Sequence, residues 1–76
     1  MTNEEFLNEI VKRWSKFERY ELCSKAQEAA ISASTGGEWQ GLFGVFLNKV
    51  KVQDVDAYSE IQDILKVMGW NDKLYR

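Results

Sequence analysis

An all-α fold is what the sequence predicts: a small bundle of three to four helices with a tight Ala/Gly-packed helical hairpin. Three observations carry that expectation. Proline is absent. Apolar residues recur at intervals of three and four along most of the chain, the period of a helix buried on one side. Four of the five glycines gather between Gly36 and Gly44, the other being Gly69, so chain breaks are confined to a few places.

The first helix is expected from Thr2 to about Tyr20. Thr2 and Glu5 form an S/T-x-x-E capping box, and Glu4 and Glu5 suit the positive end of the helix dipole. Phe6, Leu7, Ile10, Val11, Trp14 and Phe17 fall on one stripe. Lys12, Arg13, Lys16 and Arg19 lie beside or opposite it, with Glu9 spaced to pair with Arg13. Extending this helix places Glu21 in the apolar face. Beyond it Leu22, Cys23, Ala26, Ala29, Ala30 and Ala33 line a face rotated by more than about 90°. Either the helix ends near Glu21 and restarts, with Ser24 and Gln27 as a second capping box, or one long helix runs to Ser34. The break is the favoured reading, and Leu22 to Ser34 is helical in both.

Ser34 to Gly37 reads as a turn, with Thr35 and Glu38 placed to cap the next helix. That helix is expected from Gly37 to Lys51, with Trp39, Leu42, Phe43, Phe46, Leu47 and Val50 as a bulky stripe. Gly37, Gly41 and Gly44 project to the other side. Mid-helix glycine costs about 1 kcal/mol relative to alanine, so an offset is expected. Close approach of Gly37, Gly41 and Gly44 to Ala26, Ala29, Ala30 and Ala33 supplies one, and defines the predicted hairpin. Gln53 to Asp56 makes a further turn with Asp54 or Asp56 as N-cap. A last helix covers Asp56 to Met68 through Ala57, Tyr58, Ile61, Ile64, Leu65 and Met68. Gly69 ends it, with Trp70 folding back as in a Schellman motif. Leu74 and Tyr75 are expected to return to the body.

The chain of 76 residues is read as one helical domain, 1–76. So short a chain buries only about 60% of its unfolded surface. A single cysteine, Cys23, and no histidine exclude an internal disulfide and a structural zinc site built on Cys and His. No cofactor is expected. Stability must come from helix packing, self-association or both. Ten aromatic residues, three Trp, three Tyr and four Phe, exceed what so small a core needs. Trp39 and Phe43, then Phe46, Trp14 and Phe17, are therefore the candidate interface anchors, with a homodimer as the expected way of covering them.

Catalytic chemistry finds little support. Histidine, the commonest general base, is missing, and a lone Cys on an alanine-rich face is a small core hydrophobe. Asp54-x-Asp56 resembles the start of a calcium loop, but Ser59 and Leu65 stand where its glycine and glutamate belong. Gly36-Gly37 lacks the strand before it and the Gly-Lys-Ser/Thr after it that a phosphate loop has. A helix-turn-helix would send a helix opening with Asp54 and Asp56 into a DNA groove, against the phosphates. The net charge is −2, so nucleic acid is disfavoured as a partner. No run of about 18 apolar residues would span a membrane, and Met1 to Glu9 is too acidic and polar for a signal peptide. The expected function is therefore a non-catalytic protein–protein interaction module. It would be a small cytoplasmic regulator, inhibitor or adaptor, of the sort encoded by phages and mobile elements. The alternative is a nucleic-acid-binding regulator using the basic face of the first helix.

Overall fold

The computed structural model describes residues 2–33 and 36–70. Five helices follow in order: α1 (Asn3–Lys16), α2 (Tyr20–Ile31), α3 (Gly36–Gln53), α4 (Val55–Glu60) and α5 (Gln62–Met68). No strand occurs among the described residues. α1 packs against α2, α4 and α5, and α3 against α2 and α4. One apolar cluster lies between them, drawing Phe6, Ile10 and Trp14 from α1, Phe43 and Leu47 from α3, and Ala57, Ile61, Ile64 and Leu65 from the last two helices and their joint.

The helix starts follow the sequence closely. Thr2 Oγ1 accepts from the Glu5 amide and Glu5 Oε1 from the Thr2 amide, both at 3.2 Å, which completes the capping box. Those bonds, the backbone one foremost, hold the Glu5 carboxyl below its ordinary pKa. Asp54 caps α4 by accepting from the Ala57 amide at 3.1 Å. The expected cap by Thr35 and the return of Leu74 and Tyr75 fall outside the described residues.

The break after α1 comes earlier than Glu21 and by a different device. The Arg19 amide donates to Trp14 O at 2.8 Å and the Glu18 amide to Ser15 O at 3.1 Å. This is a Schellman motif with Glu18 at C′, in the left-handed region at φ 60°. Glycine normally fills that position, so nothing in the sequence marked the stop. Ser24 lies inside α2, and Arg19 stands at the α2 N-cap without a side-chain cap bond. At the far end Gly69, at φ 73°, makes the same motif, with the Trp70 amide donating to Leu65 O at 2.9 Å.

The expected last helix is two helices. Ile61 sits at φ −113°, ψ 7°, and its amide turns to Tyr58 O. An unbroken helix would join the Ala57 and Glu60 carbonyls to the amides four residues on. Here α1 supplies the donors instead. Buried Trp14 donates its indole N–H to Ala57 O at 2.9 Å, and Arg13 Nη1 donates to Glu60 O at 2.7 Å.

The Ala/Gly seam requires correction. Ala26 is fully buried, and Ala29, Ala30 and Ala33 rest against the core. Gly44 is buried. A Cβ built on Gly37 or Gly41, however, meets no atom within 4 Å. The side of α3 turned toward α2 carries Leu42, Phe46 and Val50, which line a groove with Leu22 and Ala29. Ala29 therefore faces bulky side chains, and among the described residues nothing packs on Gly37 or Gly41.

Two substitutions test these joints. Glu18→Gly removes the left-handed strain at an exposed position and should stabilise the protein by about 0.5–1 kcal/mol in urea unfolding. Trp14→Phe leaves the Ala57 carbonyl without its donor and a gap behind the smaller ring, so a loss of about 2–4 kcal/mol is expected. Against a total of roughly 4–11 kcal/mol for a chain of this length, that loss is readily measured.

Candidate functional site

The aromatic residues expected at an interface divide into two groups. Trp14 and Phe43 have no exposed surface and Trp39 almost none. Trp39 stacks on Phe43 at 4.6 Å between centroids and 10° between planes. Phe6 meets both, at 5.9 and 5.7 Å. A ring without exposed area cannot touch a partner, so Trp14, Trp39 and Phe43 are corrected from interface anchors to core. A small interior fills first with its largest rings, because each removes the most apolar area from water. Truncating Phe43 would thus act on the fold. Phe46 is half-buried, with its ring edge-on to Trp14 at 6.0 Å. Phe17 alone of the five is substantially exposed, at 52%, where α1 ends.

The other large apolar side chains left outside include Tyr20 and Ile31 on α2, Val55 on α4 and Val67 on α5, and three more share α3. Leu42, Val45 and Val52 are 40, 49 and 81% exposed. With Lys49 between the two valines they recur at three, four and three residues, and so share one face. That face lies beside the core stripe of Trp39, Phe43, Leu47 and Val50. α3 is thus apolar on two faces, and among the described residues only one is covered. Beside the uncovered face runs a groove of about 520 Å³ between α2 and α3. Leu22 and Ala29 line one wall and Leu42, Val45, Phe46 and Val50 the other, with Lys25, Glu28 and Lys49 also lining it. Sequence reasoning followed one stripe along this helix and passed over Val45 and Val52. The signal was present: a helix apolar nearly all round wants cover on more than one side.

The basic residues of α1 are arranged differently from the expected solvated face. Arg13 forms a two-pronged pair with Asp63, at 2.8 and 2.9 Å, instead of an ion pair with Glu9. Arg19 grips Glu60 at 3.1 and 2.7 Å and reaches Asp54 at 3.5 Å. Both arginines are thereby directed to acidic residues at the two ends of α4 and the start of α5.

Chemistry-bearing groups are sparse. Cys23 is buried, with its Sγ 3.5 Å from Val11 O and 3.7 Å from Ser15 Oγ. Among the described residues no three His, Cys, Asp or Glu side chains gather as metal ligands. Among the same residues no helix is long and apolar enough to cross a membrane. A second hollow of about 410 Å³ is lined by Lys51, Tyr58, Asp63, Lys66 and Trp70. Its one carboxylate, Asp63, is already engaged by Arg13. Compared with known proteins, the chain matches no family model, no curated protein and no solved structure.

The hydrogen bond from Arg13 holds the Asp63 carboxyl below its ordinary pKa. A depressed folded pKa contributes stability that is complete above the unfolded value and fades as pH falls through the folded one. The stability difference between wild type and Asp63→Asn should therefore be constant from neutral pH down to about 5 and shrink below about 4. Urea unfolding at a series of pH values checks this, and a difference that persists undiminished at pH 2 would contradict it.

Proposed function

We propose that the protein is a non-catalytic protein–protein interaction module, a small regulator, inhibitor or adaptor that docks through the exposed face of α3 and the adjoining α2–α3 groove. The observation that carries this reading is the second apolar face of α3, with Leu42 and Val45 on the surface beside the α2–α3 groove. Helix-in-groove recognition uses such a surface, reading apolar residues spaced at three and four on the partner. Lys25, Glu28 and Lys49 around the groove would set orientation. A cytoplasmic setting suits the single buried thiol.

The nucleic-acid alternative has less support. It needs the basic face of α1, and Arg13 and Arg19 are committed to Asp63, Glu60 and Asp54. Only Lys12 and Lys16 of that cluster remain, too few for a strong phosphate footprint.

A photo-crosslinking residue placed at Val45, and separately at Lys12, tests the reading in cells that naturally express the chain. Discrete protein adducts are expected from position 45 and not from position 12. Adducts from position 12 alone, or crosslinks to nucleic acid, would overturn it.

A further inference from the structure

The interaction reading leaves the occupant of the α3 face open; resting on that reading, we infer that the occupant is the same face of a second copy, with the two α3 helices antiparallel. The argument is one of register. Glu38, Leu42, Val45, Lys49 and Val52 follow the alternating four-three spacing of a coiled-coil seam. On a helical projection they fall within roughly 80° of one another. In a two-fold antiparallel pair the layers match positions whose numbers have a constant sum. Placing the axis between Phe43 and Gly44 sets Leu42 against Val45 of the other copy, twice. The same register sets Lys49 against Glu38 of the other copy, also twice. The apolar centre is therefore closed at each end by opposite charges.

A parallel pair would instead bring Lys49 against Lys49 and Glu38 against Glu38, and like charges face to face are costly. Lys49 has no ion pair among the described residues. Glu38 already has an interaction within its own chain. A carboxylate has acceptor sites for further donors, so that interaction leaves room for Lys49 of the other copy.

Gly41 supplies an independent observation. It lies in mid-helix at the border of this seam, and no atom comes within 4 Å of the place its Cβ would take. No contact among the described residues uses its small size. A neighbouring backbone approaching the seam would. The α2–α3 groove then lies alongside the incoming helix, with Leu22 and Ala29 on its far wall.

The apolar centre is short, so a weak, concentration-dependent dimer is expected rather than a permanent one. Sedimentation of the purified chain from about 5 to about 500 µM reads it directly, a range that brackets a dissociation constant of about 50 µM. The expected result is a monomer–dimer equilibrium that Leu42→Lys removes with the helical circular dichroism unchanged. Lys49→Glu should weaken association about tenfold or more, a like-charge effect, and Glu38→Lys combined with Lys49→Glu should restore it to within about threefold. A wild type that stays monomeric throughout overturns the inference, as does a dimer indifferent to Leu42→Lys or a double charge reversal that restores nothing. A monomer whose position 45 still crosslinks to another protein would sink the self-association and spare the interaction reading. A monomer without adducts would sink both.

Discussion

Two donors on adjacent residues of α1 determine how the second half of the chain can fold. Trp14 and Arg13 take the carbonyls of Ala57 and Glu60, which the break at Ile61 leaves without their helical amides. Burying an unmet carbonyl costs on the order of 1–3 kcal/mol, so the break could not sit against the core without them. The break in turn lets Ile61 turn fully inward and sends α5 back toward α1. The arginine pairs add to the same junction. Arg13 reaches both Glu60 O and Asp63, and Arg19 reaches Glu60 and Asp54. The basic side of α1 is thus turned to the acidic side of α4 and α5, at an edge of the molecule that stays partly wet. Exposed ion pairs of this kind contribute little stability each, but the forked geometry fixes orientation.

This division of labour explains which parts of the fold were legible beforehand. Devices made of one residue type at one spacing could be read. Thr2 with Glu5, Asp54 at an N-cap, and Gly69 followed by Trp70 stand where the sequence placed them. Devices that depend on a distant partner could not. Nor could a local device built on an unusual residue: Glu18 takes the left-handed conformation that glycine usually takes, with its amide donating to Ser15 O and that of Arg19 to Trp14 O. Ile61 interrupts an apolar stripe that continues unbroken in projection, because the reason for the interruption lies far away in the chain at Arg13, 47 positions from the Glu60 carbonyl it takes. A helical projection records only what neighbours at three and four would do.

The candidate site was half legible for a related reason. Surplus apolar residues were evident from composition, and the sequence assigned the surplus to aromatic rings on the first and third predicted helices. Which residues stay outside was misread. Aromatic rings are enriched at interfaces, but in a chain this short they are also the best means of filling an interior. Trp39 and Phe43 stack as an i, i+4 pair and close the core with Phe6. The aliphatic Leu42 and Val45 are displaced to the surface as a consequence, since a helix presenting Trp39, Phe43, Leu47 and Val50 to the core necessarily turns positions 42, 45, 49 and 52 away from it.

The glycines were misread for the complementary reason. Small side chains were expected to face small side chains, as if the closest approach of two backbones had to be the one within the chain. α2 lies beside the bulky side of α3, where Ala29 shares a groove with Leu42, Phe46 and Val50. Small-against-large packing of this sort fills space as well as small-against-small does, with no need for glycine. Gly41 is then a mid-helix glycine whose conformational cost is not offset by any contact among the described residues. A cost of about 1 kcal/mol is tolerable in a protein of marginal stability only when little else is strained or when the missing side chain serves contacts beyond the monomer. Its position at the border of the exposed Leu42–Val45 face makes the second explanation the more economical one.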